Sequence, residues 1–472
     1  MKYREEIHNY IQSKKPEIIE TLKELVKIPS VRREAEENAP FGKECARVLE
    51  FTEKLYQDNG FETDLDQNGG YLLSYLGEGQ KTLGVFSHAD VVPVGDDWIY
   101  APFEPIEKDG FLIGRGTLDN KAGVVISLYC AKLLKELNIP FNSRLVMFTG
   151  SNEESGMQDI KNYLSCNQVP DFSFVPDTAF PLYRGNKGAI RFSAKSLKPF
   201  SKGVSLNGGT GAAVIGSCET ILPFSEDLFS ELLLKCNDKI TVSKDGENIK
   251  ICAIGISKHS AIPEGSLNAV ALISNVLKDC SALNKGDRDI FNYLYNMSSC
   301  HYGEFFGIEN NDGEFGKLTC VMAGVETNEK SELETQFNIR YGSDTNKDTI
   351  INSIEKKLNE IGFSSPDVSY TSLPDALARD NKYVEATLNV FKEFILNKNA
   401  SSYINAGGTY RQYLKKAVEI GPTLNCGGIV NMPQGHGGAH QPDECISIEG
   451  FLGAIELTTL MLLACDKELQ KS

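Results

Sequence analysis

Leu83-Gly-Val-Phe-Ser87 runs directly into His88-Ala-Asp90. A short, bounded apolar run reads as a buried strand, and here the polar residues begin where the strand ends. The pattern recurs along the chain. Arg144-Leu-Val-Met-Phe148 leads to Ser151-Asn-Glu-Glu-Ser-Gly156, and Phe172-Ser-Phe-Val175 leads to Pro176-Asp177. Phe111-Leu-Ile113 is shorter and meets Gly114-Arg-Gly116; Asp119 lies in that Gly-rich turn, just ahead of a helical pattern over 122–137 with Val125, Leu128, Leu133 and Leu137 on one face. Apolar runs alternating with helices predict the α/β class, with a mixed, largely parallel sheet flanked by helices.

Upstream, Ile7, Ile11, Ile18, Leu22, Leu25 and Val26 recur at close to helical spacing, which predicts an amphipathic helix to about residue 27. Downstream the texture changes near Arg184-Gly-Asn-Lys-Gly188. Alternating patterns such as Ala189-Ile-Arg-Phe-Ser-Ala194 and Thr335-Gln-Phe-Asn-Ile-Arg-Tyr341 predict strands, with helical segments over 267–277 and 349–361. After Asp380 a helix pattern resumes, a Gly-rich stretch spans 421–438, and a last helix follows over 448–463. The chain therefore reads as one domain of two segments, 1–186 and 377–472, around an inserted α+β lid, 187–376.

Composition limits what such a chain can do. With 472 residues it can bury more than one core. Charged residues at 24% and aromatics at 9% argue against disorder. A net charge of −16 argues against nucleic acid or an anionic membrane as partner, since both need clustered Lys and Arg. The twelve cysteines are scattered; the nearest two, Cys236 and Cys252, are too far apart for a C-x-x-C motif. With a charged start, Met1-Lys-Tyr-Arg-Glu-Glu6, and no export signal, the expectation is a reduced, cytoplasmic protein with no membrane span.

In open α/β sheets ligands bind beyond the carboxyl ends of the strands. Four strand ends here deliver His88, Asp90, Asp119, Glu153, Glu154 and Asp177 to one edge. Any one of these pieces alone reads more readily as a solvated turn, a satisfied polar pair or a helix cap than as a site. Together they put too much negative charge in one crevice to stay ionised unaided. Divalent cations resolve this, and mixed His and carboxylate ligation suits zinc, with Mn²⁺ or Co²⁺ as alternatives.

In order along the chain stand His88-Ala-Asp-Val-Val-Pro-Val94 with Trp98 and Pro102-Phe103, Gly114-Arg-Gly-Thr-Leu-Asp-Asn-Lys121, Asn152-Glu-Glu-Ser-Gly156, Pro176-Asp177, and Gly438-Ala-His-Gln-Pro-Asp-Glu444. This set resembles the dizinc metallopeptidase family that includes aminoacylase, acetylornithine deacetylase and bacterial Xaa dipeptidases. The match is nearest the dipeptidase V, carnosinase-like branch, and extends from Leu25-Val-Lys-Ile-Pro-Ser-Val31 to the last helix. The resemblance implies two divalent cations, zinc first. His88, Asp119 and Asp177 would hold one; Asp119, Glu154 and His440 would hold the other, with Asp119 bridging. Asp90 would hydrogen-bond His88 and fix its tautomer. Glu153 would be the general base on the bridging water.

In the insertion, Gly255-Ile-Ser-Lys-His259 with Pro263-Glu-Gly-Ser-Leu-Asn-Ala269 resembles the family's lid motif. The resemblance implies that His259 donates to the oxyanion and that Arg340 grips the substrate carboxylate. Gly408 and Thr409, in Gly407-Gly-Thr-Tyr410, would line the substrate. Two departures stand out. Asn120 follows the bridging aspartate where many relatives have a second Asp, and the 208–214 loop lacks the expected Asn, with Ala213 nearby. His436 reads as a loop residue, and His8 and His301 as ordinary surface or helix-face residues. The expected activity is hydrolysis of dipeptides or similar short N-terminal substrates by a monomer, a dimer through the lid being the alternative. Deacylation of N-acyl amino acids uses the same site, and a non-catalytic peptide- or metal-binding relic is the distant rival.

Overall fold

The computed structural model describes residues 2–209, 211, 213–424 and 432–471. Thr210 and Ala212 of the 208–214 loop, and residues 425–431 of the Gly-rich stretch, lie outside the described residues. The chain forms two compact units, Met1–Gly185 with Ala376–Ser472, and Asn186–Asp375.

The first unit begins with helices α1 (Arg4–Val26) and α2 (Lys43–Asp58) and strands β1 (Glu62–Asp66), β2 (Tyr71–Leu76) and β3 (Thr82–His88). Strands β4 (Ile106–Lys108) and β5 (Phe111–Ile113), helix α3 (Lys121–Glu136), strand β6 (Arg144–Gly150), helix α4 (Gln158–Cys166) and strand β7 (Phe172–Pro176) follow. Its main sheet runs β1-β2-β6-β3-β7, then Ala417–Ile420 and Tyr183–Asn186. The central strands β6, β3, β7 and Ala417–Ile420 are parallel, while β1 and β2 are antiparallel additions.

The unbroken apolar runs have a plain cause: both faces of the centre are covered. Leu83, Val85, Leu145, Met147, Phe172 and Phe174 face a core shared with α1, α3 and the helix Ile448–Leu469. Phe86, Phe148 and Val175 face a second cluster with Tyr71, Tyr163 and Tyr410. Helix α3 is buried from Lys121 to Leu134, as a helix between a sheet and other helices must be. Ile448–Leu469 is long and apolar enough to cross a membrane, yet 78% of its most apolar stretch is buried in the unit. A small sheet pairs Cys445–Ser447 with β5 and β5 with β4. That pairing carries the 436–444 segment to the loop after β5.

The second unit is built on an antiparallel sheet, eight-stranded among the described residues. It runs from Ile240–Asp245 through Asn248–Ile254, Ser217–Pro223, Ser205–Gly208, Thr319–Thr327, Leu333–Tyr341 and Gly188–Lys195 to Asp367–Ser372. Ile273, Phe291 and Ile354, from helices Ala269–Leu277, Lys285–Ser298 and Lys347–Glu360, complete its core with Phe192, Met322 and Phe337. Asp312 holds two of its turns together, accepting the N–H groups of Glu314, Phe315, Ser343 and Asp344 and the Ser343 hydroxyl. Burial alone would raise this carboxyl, but those donors pull it down to about 2 from its ordinary 3.8. A depressed folded pKa means stability that is present above about pH 4 and lost as pH falls towards 2. Asp312→Ala is expected to cost about 1–3 kcal/mol, by leaving four N–H groups and a hydroxyl without their shared acceptor; thermal unfolding at pH 7 measures it.

Candidate metal centre

The site gathers at the carboxyl ends of β3, β6 and β7 and on the two loops that the small sheet joins. His88 ends β3 and is 1% exposed. Its Nε2 stands 3.2 Å from Asp119 Oδ1, 3.7 Å from Asp177 Oδ1 and 4.0 Å from Glu153 Oε2. Across the cluster, His440 Nε2 is 3.1 Å from Asp119 Oδ2 and 3.1 Å from both Glu154 oxygens. Asp119 thus turns one oxygen to each histidine. His88, Asp119 and Glu154 bring their donor atoms within 4.8 Å of one another.

The electrostatics call for positive charge. Burial pushes Glu153 well above the carboxylate range, with Asp177, Glu154 and Asp119 adding to it. Burial, with the Asp119 charge, raises Glu154 to about 7, and burial raises Asp177 to about 6. Burial opposes the depression of Asp119, but the two histidines hold it well below its usual range. Hydrogen bonds to Asp119 and Glu154 lift His440 to about 11, and His88 is raised despite its burial. Such a pocket binds protons on its imidazoles or binds cations.

The donor set fits cations. His88 Nε2 is buried with no hydrogen-bond partner among the described residues, and it points at the acidic cluster. Its Nδ1 lies 3.1 Å from the Asp90 carbonyl oxygen. Donation there leaves the Nε2 lone pair facing inward, as a ligand requires. Imidazole nitrogen with carboxylate oxygen suits zinc, manganese or cobalt.

Asp90 differs from expectation in how it acts. Its carboxylate is 3.5 Å from His88 Nδ1, while its close bonds go to the backbone N–H groups of Glu153 and Glu154, each at 3.1 Å. The carbonyl orients the histidine and the carboxylate seats the Glu-Glu turn, because two converging N–H groups offer a charged acceptor more than one imidazole does. Thr409 is 5% exposed; its hydroxyl donates to Glu419 Oε1 at 2.6 Å and accepts the Arg411 N–H, capping the short helix Tyr410–Tyr413. Gly408, beside it, is exposed. His436 Nδ1 is engaged by Asp443 Oδ2 at 2.6 Å. His8 meets Glu456 at 3.0 Å, and His301 is half-buried against Ser266 rather than a surface residue.

Several residues outside the expected ligand and catalytic set also build this site. Asn120 donates to the Pro176 carbonyl at 2.6 Å and accepts the His88 N–H at 3.4 Å, tying the ends of β3 and β7 together; its peptide bond with Asp119 is cis. Lys121 donates to the carbonyls of Leu25 and Ile28, and its burial lowers it to about 7. Asp159 accepts the Asn152 N–H at 2.7 Å and the Tyr410 hydroxyl at 2.5 Å. Gly150 closes β6 because a Cβ there would lie 1.9 Å from that hydroxyl. Arg115 and Glu444 stand inside the motifs without an expected role of their own. The signal at Arg115 is a charge set between two glycines, Gly114 and Gly116.

Beside the cluster opens a cavity of about 470 Å³, lined by Leu118, Asp119, Asp177, Thr178, Thr423 and the 436–441 turn among others. Its volume lies in the range of small-molecule sites.

The family model described as peptidase family M20/M25/M40 matches residues 84–464. A Bacillus subtilis (strain 168) protein named "Putative dipeptidase YtjP" is 28% identical over 463 residues, covering 94% of this chain and 96% of its own. A Staphylococcus epidermidis protein of similar name is 27% identical over 426 residues, covering 86% and 89%. Among solved structures, human carnosine dipeptidase 1 superposes with a TM-score of 0.59 at 15% identity, covering 99% of both chains. The di-peptidase Dug1p of Saccharomyces cerevisiae gives 0.59 at 15%, covering 98% of both. At that identity the structural likeness speaks for the fold.

Proposed function

This chain belongs to peptidase family M20/M25/M40, and we propose that it hydrolyses the amide bond of dipeptides or similarly short peptides. The observation that carries the reading is the division of labour between adjacent glutamates. Glu154 sits on His440 at 3.1 Å, whereas Glu153 reaches towards His88 only at 4.0 Å. His88, Asp119 and Asp177 would hold one divalent cation and Asp119, Glu154 and His440 a second. Zinc is our first assignment, with Mn²⁺ or Co²⁺ as alternatives. Bound there, the cations would polarise the scissile carbonyl and acidify the attacking water. Glu153 takes that water's proton and returns it to the amine nitrogen as the C–N bond breaks.

From the second unit we assign His259 as oxyanion donor. The Ala261 N–H donates to its Nδ1 at 3.3 Å, which supports a proton on Nε2, the form a donor needs. Arg340 is assigned to the substrate carboxylate; it is 6% exposed, and burial followed by Arg191 lowers its pKa to about 10. We assign Gly408 and Thr409 to the substrate through their backbone, since the Thr409 hydroxyl is committed to Glu419. We place the protein, as a monomer, in a reducing cytoplasm; all described cysteines are free.

The test is a panel of dipeptides, tripeptides and N-acyl amino acids with the metal-loaded protein. Dipeptides are expected to turn over fastest, and a chelator should abolish the activity until Zn²⁺, Mn²⁺ or Co²⁺ is restored. A panel in which only acylated amino acids react would move the assignment to deacylation.

A further inference from the structure

Four residues past His440, a buried carboxylate turns back onto the loop that carries Asp119. Glu444 is 0% exposed. Its Oε1 accepts three backbone N–H groups: Gly116 at 3.0 Å, Leu118 at 2.8 Å and Asp119 at 2.9 Å. Its Oε2 takes Arg115 Nη1 at 2.7 Å, and the Arg115 guanidinium lies 5.1 Å over the Trp98 ring. The main chain joins in, since the Glu444 carbonyl accepts the Gly114 N–H at 2.8 Å and the Thr117 hydroxyl at 3.3 Å. Next to it, Asp443 accepts the N–H groups of Ile99 and Tyr100, each at 3.0 Å.

The other half of the cluster is tied differently. Asn120 spans the ends of β3 and β7, from the His88 N–H to the Pro176 carbonyl, and Glu444 takes no part in that link. The two halves therefore have separate fasteners.

We propose that Glu444 is a positioning residue for one of the two cations: it clamps the Asp119 loop to the segment bearing His440 and so sets the spacing of Asp119 and His440, while Asp90 seats Glu154. The His88–Asp177 side keeps its own tie through Asn120. Loss of the clamp should then separate the two cations in affinity rather than weaken both alike. The inference rests on the two-cation reading above.

The experiment titrates the metal-free, full-length protein with Mn²⁺ by calorimetry and follows Co²⁺ binding by its visible absorption, in wild type, Glu444→Gln and Arg115→Met. Wild type is expected to take two equivalents. Glu444→Gln should hold the first within about threefold and bind the second at least about tenfold more weakly, the range found when partners of metal ligands are removed. Arg115→Met removes the ion pair but leaves the three N–H bonds. It should lower the melting temperature while keeping both affinities within about threefold. Wild-type affinities for both ions in Glu444→Gln overturn the proposal, and so does an Arg115→Met variant that loses the second ion equally. Should Glu444→Gln not fold, Glu444→Asp replaces it, with the same selective loss expected and two unchanged affinities overturning it. Fewer than two equivalents in wild type would instead sink the two-cation reading itself.

Discussion

Glu153→Gln is expected to lower kcat by about 10²–10⁴-fold, the contribution of a positioned general base, with both cations still bound. The side chain is 8% exposed, and its backbone N–H is seated on the Asp90 carboxylate at 3.1 Å. An amide of the same shape therefore enters the same place without disturbing the turn. Glu154, which faces His440, is untouched. In the proposed mechanism, what the variant loses is an oxygen able to carry a proton from water to the leaving nitrogen. The amide also relieves the crowding of carboxylates around Asp177 and Glu154, so folding stability should hold or rise. Measuring kcat and bound metal on the same preparation decides the matter. A rate within about threefold of wild type, with metal present, would remove Glu153 from the mechanism.

Asp119→Ala should have the broader effect. Asp119 stands 3.2 Å from His88 and 3.1 Å from His440, one oxygen to each. In the two-cation reading it touches both ions, so its removal should weaken both by more than about 10²-fold, since losing a ligand costs more than losing a ligand's partner. Activity should fall to the uncatalysed background at ordinary metal concentrations. His440→Ala is the control, because it belongs to one ion and should leave the other near its wild-type affinity. Metal analysis after dialysis separates these outcomes. An Asp119→Ala protein that retains two equivalents would show that the carboxylate does not bridge.

The α/β class was legible in runs such as Leu83-Gly-Val-Phe-Ser87 and Arg144-Leu-Val-Met-Phe148, which lack polar alternation because both faces of the strands are covered. Elements with weaker periodicity were not legible. Helix α2 interrupts its stripe of Cys45, Val48, Leu49 and Tyr56 with Thr52, and β1 is short and half-exposed. Within the site, residue order along the chain put polar groups at strand ends. It could not say that the Asp90 carboxylate seats a turn, or that the Thr409 hydroxyl serves Glu419.

By itself the sequence determined which residues sit where an apolar strand stops, since local periodicity encodes burial and burial ends where charge begins. Only the tertiary structure decided which distant groups meet. Arg115 and Glu444 are 329 residues apart in the chain, and they come within 2.7 Å because Cys445–Ser447 pairs with β5. Pairing of that kind follows from how the sheets and helices pack as a whole, and no spacing along the chain records it.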